Sequence, residues 1–469
     1  MRRSIRWSLV ATAAFMLVAG AVPATADHSN RVIEDLQPLG HSPHPATFFG
    51  ATDIERNINS DLAFWGDLAF NGNYDGFRII DISDPANPQE LLWQHCNGDQ
   101  GDIVVYQDIL VRSWNSPKPE DRQCDGETVP AGWEGVHVFD ISNLEDPDLV
   151  AAVELPCGSH TATLAGLVDR NLIVYSNNSS SSGCVDGTRA NDDPVGDFMD
   201  VIQIPLADPS QASLLRREEL AGPTTDVRTG CHDAGVILGS ENKAACASAD
   251  TINVWDIGEN ETPGGSITDP ELLYTIYVPG VADASTNGRW HTAAFTWDGE
   301  VLSAGWEPGG GAAPECEAED PPEKKSKFFF DADTGELLGL WTLPRPQSSE
   351  ENCTIHNWNV LPMRDGRYIA VGGHYQAGTW VVDFTDPANA QTVAFADPPP
   401  LGTVTTPGGA TVNELGGAWS SYGYNRAIYE SEITKGLNVF RLLDRGIVRN
   451  WINLRNLNPQ TSPFSFEAT

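Results

Sequence analysis

Four histidines recur along the chain at nearly regular intervals, and each opens an apolar segment. They are His160, His232, His291 and His356, separated by 72, 59 and 65 residues. Neutral imidazole is a common ligand of zinc, copper and iron. Regular spacing near 60 residues indicates one repeated structural unit, so the four side chains should occupy equivalent positions. The pattern leaves two interpretations open, a metal site on which the imidazoles converge or a repeated structural hydrogen bond.

In the structural interpretation, each imidazole joins a buried network with the polar residue that follows it. These following residues are Thr161, Asp233, Thr292 and Asn357. In the metal interpretation, the cofactor is one transition-metal ion such as Zn, Fe or Cu, and no catalytic residue is assigned. Asp61 and Asp102 occupy the equivalent position in the first two units, and His374 lies in the corresponding loop of the sixth. We expect these three residues to orient an imidazole ligand or to add charge.

The elements that position these residues form a repeat of short strands. The segment GDLAFNGNYDGFRIIDISDPANP at 66–88 contains two strands around a turn, and QELLWQHC follows as a third. Seven copies of its apolar strand occur, and the strands preceding them begin near Asp61, Asp102, His160, His232, His291, His356 and Trp419. Four short strands per step of about 60 residues are typical of a propeller blade. The sequence therefore predicts an all-β fold, a seven-bladed β-propeller with four short antiparallel strands per blade, as one domain over 27–445.

The stretch FNGNYDGFRIIDISDPANP resembles the LVIVD repeat. That resemblance implies β-propeller blades of the kind found in secreted and surface proteins. It brings no established reaction, so it bears on architecture and not on chemistry.

A propeller must also close its ring, and either terminus is able to do so. The segment EDLQPLGH at 34–41 resembles the outer strands of other blades and can complete the last blade beside 436–444. The segment IVRNWINL near the C-terminus competes for that role. Residues 446–469 are accordingly expected to be a C-terminal tail or a closing strand.

The N-terminal residues and the composition indicate an exported, acidic protein. Residues 1–26 carry Arg2, Arg3 and Arg6, then an apolar run and an A-x-A site, which predicts a signal peptide. That run is too short to span a membrane well. The formal net charge is −37, or about −40 without the three signal arginines. Such a charge repels nucleic acid and anionic membranes.

Eight cysteines fit an oxidising compartment, and no CxxC pair suggests zinc or redox chemistry. Nearest-neighbour pairing predicts four disulfides that tie loops on one face of the propeller. The pairs are Cys96–Cys124, Cys157–Cys184, Cys231–Cys246 and Cys316–Cys353.

Two functional hypotheses follow. The first is a secreted, extracellular binding or interaction propeller, monomeric and without a membrane span. Its loop-rich acidic upper face would meet an extracellular protein, a glycan or a small-molecule ligand, and not a nucleic acid. The alternative is a metal-dependent enzyme with a four-histidine site at the central channel. The sequence specifies neither the ligand nor the substrate.

Overall fold

The structure is a computed structural model that describes most of the chain. The described residues are 31–49, 57–98, 100–178, 198–222, 230–239, 242–248, 250–258, 264–281 and 288–462. The predicted signal peptide, residues 1–26, lies outside them. Within these ranges, no helix has the length and apolar character needed to cross a membrane.

The prediction of a seven-bladed β-propeller is confirmed. Seven sheets each contain four antiparallel blade strands, and three of the sheets gain a fifth strand from a terminal segment. In six blades the four strands follow one another along the chain, apart from a loop hairpin in blade 2, and in blade 7 the outermost strand comes from the N-terminal segment. The innermost strand of each blade contacts that of the next, and the innermost strand of blade 7 contacts that of blade 1. The ring is therefore closed around a central channel.

The two inner strands of each blade surround this channel. From blade 1 to blade 7, the innermost strands are Asn59–Trp65, Ile103–Tyr106, Thr161–Val168, Asp233–Ile237, Gly288–Phe295, Trp358–Val360 and Ala418–Tyr424. The second strands are Leu68–Asn73, Ile109–Trp114, Asn171–Asn177, Lys243–Ala247, Val301–Pro308, Ile369–Gly373 and Ala427–Glu432.

The two outer strands complete each blade. The third strands are Gly76–Asp81, Gly135–Asp140, Phe198–Pro205, Ile252–Gly258, Ser326–Asp331, Thr379–Asp383 and Gly436–Leu442. The outermost strands are Gln89–His95, Asp148–Glu154, Ser213–Glu219, Ser266–Ile276, Leu337–Thr342, Gln391–Asp397 and, for blade 7, Leu36–Pro43. Two short hairpins lie in loops, Arg122–Cys124 with Glu127–Val129 and Thr403–Thr405 with Thr411–Asn413.

Burial explains the strand patterns. The third strands are apolar almost throughout because both of their faces pack against neighbouring blades: in blade 1, Ile79 packs toward blade 2 and Ile80 toward blade 7. Three of these strands begin with a glycine at positive φ: Gly76, Gly135 and Gly436. At Gly76, a Cβ atom would lie 1.8 Å from the Gln94 carbonyl oxygen. Only glycine permits the outermost strand to approach so closely there.

The N-terminal strand closes the ring. Leu36–Pro43 pairs antiparallel with Gly436–Leu442 and becomes the outermost strand of blade 7. The preceding strand, Val32–Glu34, adds a fifth strand to blade 6 by pairing with Gln391–Asp397. Of the two alternatives that the sequence leaves open, the one at 34–41 completes the last blade.

The C-terminal segment instead crosses the channel. After the helix Arg445–Asn450, Asn456–Leu457 pairs with the innermost strand of blade 1, and Thr461–Ser462 pairs with that of blade 4. Between them, the Asn458 side chain bonds both the backbone N–H and the carbonyl of Val105 in blade 2, at 2.8 and 2.9 Å. This C-terminal tail, residues 456–462, therefore ties together strands from different sides of the ring.

Three of the four predicted disulfides are confirmed. They join Cys96 with Cys124, Cys231 with Cys246, and Cys316 with Cys353. The fourth prediction involves Cys184, which lies outside the described residues.

Candidate metal centre

The four histidines lie side by side at one end of the channel. The ring centroids are 4.4 Å apart for His160 and His232, 3.9 Å for His232 and His291, and 4.2 Å for His291 and His356. They line a cavity of about 120 Å³ together with Asp102, Arg289, Glu307, Tyr375 and Trp419, among others. The repeat thus delivers its histidines to one place because each stands near the start of an innermost strand.

The imidazoles form a row and not a four-ligand set. In the described part of the chain, two groups near the cavity have one ligand atom from each residue within 4.8 Å of the others. One group is His291, Glu307 and His356, and the other is His232, Asp233 and His291. His160 is in neither group. The structure therefore brings two of the four predicted ligands together with a carboxylate.

Glu307 is the centre of the first group. Its Oε1 lies 3.9 Å from Nε2 of His291 and 3.9 Å from Nε2 of His356. The Tyr375 hydroxyl donates a hydrogen bond to the same oxygen at 3.0 Å, and Arg289 pairs with Oε2 at 3.3 Å. Both carboxylate oxygens are thus held in place, with Oε1 directed at the two imidazoles.

Sequence reasoning missed Glu307, and its position in the fold explains why. It lies near the end of the second strand of blade 5, Val301–Pro308, whereas the histidines stand at the innermost strands. In the sequence, Glu307 stands in the segment WEPGGG, whose glycine run indicates a loop. The one available signal was an acidic residue between an apolar strand and a glycine run. Tyr375 was missed as well, although it directly follows His374.

Tyr375 is held in an unusual backbone conformation. Its φ is 51°, in the left-handed region, which costs a non-glycine residue on the order of 1–3 kcal/mol. Its ring lies 4.4 Å from that of His356. Burial, and then the neighbouring Glu307 carboxylate, raise the pKa of Tyr375 well above its usual value. The phenol therefore remains a hydrogen-bond donor toward Glu307.

A hydrogen bond to a carbonyl group fixes which nitrogen of His356 is free. His356 Nδ1 bonds the carbonyl oxygen of Trp419, which has no hydrogen to give, so Nδ1 carries the proton. His291 Nδ1 lies 2.6 Å from the Thr292 hydroxyl oxygen. Burial, followed by the influence of His291, lowers the pKa of His356 to about 3, and burial also lowers the pKa of His291 well below its usual value. Both rings are therefore neutral, as metal ligands must be.

The other two histidines differ. His160 Nδ1 bonds the Asn115 amide oxygen at 3.0 Å, and its Nε2 lies 3.2 Å from the Gln100 amide nitrogen. Both of its ring nitrogens are therefore already engaged. His232 Nδ1 lies 3.4 Å from Asp233 Oδ1, and both atoms are buried without a hydrogen bond among the described residues.

The three residues expected to orient imidazoles lie around the site in different roles. Asp102 accepts a hydrogen bond from the Ala162 backbone N–H at 2.8 Å. His374 Nδ1 accepts one from the His356 backbone N–H at 3.1 Å. Asp61 accepts one from the Asn357 side chain at 3.1 Å. None of these three hydrogen bonds is made directly to an imidazole of the four histidines.

A buried acidic layer lies beside the imidazole row. Asp61, Asp102 and Asp233 are each almost fully buried. Burial, and then the proximity of Asp61, raise the pKa of Asp233 to about 8. Burial likewise raises the pKa values of Asp61 and Asp102. Burial therefore favours the protonated, uncharged form of these three carboxyl groups.

The first group has the dimensions of a nearly formed metal site. When three ligand atoms lie within 4.8 Å of one another, a common centre lies no farther than about 2.8 Å from each, against 2.0–2.2 Å in zinc sites. The three ligand atoms would each need to move toward the common centre by several tenths of an ångström to reach zinc-ligand distances. Two imidazole nitrogens with one carboxylate oxygen, open on the cavity side, suit zinc or non-haem iron.

Comparison with known proteins identifies the repeat. Residues 59–93 match the model of the LVIVD repeat. Blade 1 is an LVIVD repeat. The match begins with the innermost strand Asn59–Trp65 and ends within the outermost strand Gln89–His95, so one repeat corresponds to one blade. The molecule is a seven-bladed β-propeller that contains an LVIVD repeat.

Two further comparisons concern the whole chain. The propeller is similar to a crystal structure of the WD40 β-propeller domain of Doa1, with 13% identity and a TM-score of 0.46. That similarity covers 85% of this chain and 96% of that one. No curated protein matches the chain.

Proposed function

We propose that this LVIVD-repeat propeller binds one divalent transition-metal ion at the mouth of its central channel. The ligands are Nε2 of His291, Nε2 of His356 and Oε1 of Glu307. One observation carries the proposal: Glu307 Oε1 lies 3.9 Å from Nε2 of each of two neutral imidazoles, His291 and His356. The proposal replaces the four-histidine set with two histidines and a carboxylate.

The donor set and the cavity favour zinc or iron(II) with an open coordination position. Three protein ligands leave room for water or a small ligand, as in catalytic metal sites. When bound, the ion would act as a Lewis acid on that ligand. A cavity of about 120 Å³ limits the ligand to a small molecule.

The proposed setting is extracellular. The disulfides and the signal-like residues 1–26 support export. The net charge of −37 raises the local concentration of cations around the molecule. We propose that the mature protein acts as a monomer, since the ring of blades is closed by its own N-terminal strand.

The test is elemental analysis of the purified mature protein after loading with Zn²⁺ or Fe²⁺ and dialysis. We expect one ion per chain in the wild type and in His160→Ala, and much less in His291→Ala, His356→Ala and Glu307→Gln. His160→Ala is the matched control because it removes an imidazole from the same row whose nitrogens are already engaged. The proposal fails if the wild type retains no ion, or if His160→Ala loses the ion as completely as His291→Ala.

A second candidate is a non-catalytic binding function of the upper face. The loop between the second and third strands of blade 2 exposes Glu120, Asp121 and Glu127 and is tied down by the Cys96–Cys124 disulfide. Such a rigid acidic loop suits an extracellular protein, glycan or small ligand. Binding that survives both chelation and His291→Ala, but is lost when these acidic residues are neutralised, would favour this function.

A further inference from the structure

The strongest remaining feature is a chain of buried polar side chains that begins at His291 and crosses the channel. We propose that Thr292, Asn357 and Asp61 form a relay that positions His291 for metal binding and couples it to the C-terminal tail. This inference rests on the proposed function, because it assigns a role relative to the same metal site. Thr292, Asn357 and Asp61 are positioning residues and do not contact the ion.

The direction of each hydrogen bond in the relay is determined. The Thr292 hydroxyl lies 2.8 Å from Asn357 Oδ1 and 3.0 Å from Asp233 Oδ2. Because the Asn357 amide oxygen can only accept, the single hydrogen of the hydroxyl goes to it, and the hydroxyl keeps a lone pair free. That lone pair accepts from His291 Nδ1 at 2.6 Å. The His291 proton is therefore placed on Nδ1, and Nε2 is left free toward Glu307.

Asp61 sets the orientation of the Asn357 side-chain amide. The Asn357 Nδ2 group donates to Asp61 Oδ2 at 3.1 Å, which turns Asn357 Oδ1 toward Thr292. A carboxylate oxygen at Asp61 accepts this bond, so the amide cannot flip without losing it. Asp61 belongs to blade 1, Asn357 to blade 6 and Thr292 to blade 5. The relay therefore exists only once the ring has closed.

The same carboxylate connects the relay to the C-terminal tail. Gln460 Nε2 donates to Asp61 Oδ2 at 3.4 Å. The Gln460 backbone carbonyl also accepts from Val236 N–H at 2.8 Å, which fixes the tail against blade 4. The tail thus holds the far end of the chain of bonds that orients His291.

A matched pair of variants tests the relay. Thr292→Val removes the hydroxyl beside His291, and Thr161→Val removes a hydroxyl from the same ring position in blade 3. Both threonines are buried and follow a histidine, but Thr161 donates to the His232 backbone carbonyl and not to an imidazole. Thr292→Ser restores the hydroxyl, and Gln460→Met breaks only the bond from the tail.

Two measurements are made on the mature protein: Zn²⁺ affinity by chelator competition, and the protonation of His291 by NMR of ¹⁵N-histidine-labelled, metal-free protein. Residues that orient metal ligands commonly contribute about 10- to 100-fold to affinity. We expect Thr292→Val to weaken Zn²⁺ binding by at least about tenfold, Gln460→Met by several-fold, and Thr292→Ser and Thr161→Val by less than about threefold. In the NMR spectra, His291 should carry its proton on Nδ1 in the wild type and lose this preference in Thr292→Val alone.

The outcomes separate this inference from the proposed function. A wild-type protein that binds no zinc, yet shows the Thr292-dependent proton on Nδ1, defeats the metal site and leaves the relay intact. Equal losses of affinity in Thr292→Val and Thr161→Val overturn the relay. A wild-type proton on Nε2 of His291 also overturns it, and that measurement decides the matter even if Thr292→Val does not fold.

Discussion

Gly311 offers the sharpest perturbation of the site because it packs directly against the carboxylate that we assign as a ligand. Its φ is 75°, and a Cβ atom placed on it would lie 2.4 Å from the Tyr375 hydroxyl and 2.8 Å from Glu307 Oε1. Gly311→Ala therefore cannot fit unless Tyr375 or Glu307 moves. We expect the substitution to disturb the position of Oε1 without removing any ligand.

The neighbouring Gly310 supplies the control. Its φ is 66°, and the nearest atom to an added Cβ is an Arg289 guanidinium nitrogen at 3.7 Å. Both alanines carry the left-handed backbone cost of about 1–2 kcal/mol, which cancels when the two variants are compared. What remains at Gly311 is overpacking, typically about 1–3 kcal/mol, and the strained Tyr375–Glu307 hydrogen bond.

The assay measures two quantities on each variant, the free energy of unfolding in urea without metal and the Zn²⁺ dissociation constant. We expect Gly311→Ala to be about 2 kcal/mol less stable than Gly310→Ala, since overpacking is the difference between them. Its Zn²⁺ affinity should fall at least about tenfold further, which corresponds to about 1.4 kcal/mol. Equal stability and equal affinity in the two variants would refute the placement of Glu307 Oε1 at the centre of the site.

Three further predictions concern the metal, a disulfide and a buried histidine. Zinc at about 100 times its dissociation constant should stabilise the wild type and His160→Ala by about 2.7 kcal/mol in urea unfolding, and His356→Ala not at all. Replacing both Cys96 and Cys124 by serine removes a disulfide between residues 28 apart and should lower the free energy of unfolding by about 3–4 kcal/mol. The zinc stoichiometry should stay at one ion per chain, and loss of zinc would show that the disulfide shapes the channel mouth. Burial, and then Arg112, lower the pKa of His137 from its usual value of 6.5 to about 3, so this ring stays neutral in the folded protein. The unfolded chain binds its proton first, so this contribution to stability is present above pH 6.5 and is lost as the pH falls toward 3. In His137→Gln, the free energy of unfolding measured in urea should fall less steeply between pH 6.5 and 3 than in the wild type. An unchanged pH dependence would contradict the conclusion that His137 is neutral in the folded protein.

The local features of the chain were enough to predict the architecture. Strand and turn signals depend on nearby residues, so the repeat at 66–88 already predicts a four-stranded blade. The disulfides Cys96–Cys124 and Cys316–Cys353 were predictable from neighbouring positions because their loops are short. The histidines were predicted to meet because equivalent positions in a closed repeat lie on one ring.

The tertiary structure alone decided which groups form the site. Glu307 stands outside the histidine pattern, on the second strand of the blade that holds His291, and it approaches His356 because blades 5 and 6 pack side by side. The proton on His356 Nδ1 is fixed by the Trp419 carbonyl of blade 7, and that on His291 by a relay that ends in blade 1. Such contacts depend on the angles between blades after ring closure, and a local pattern of residues does not encode those angles.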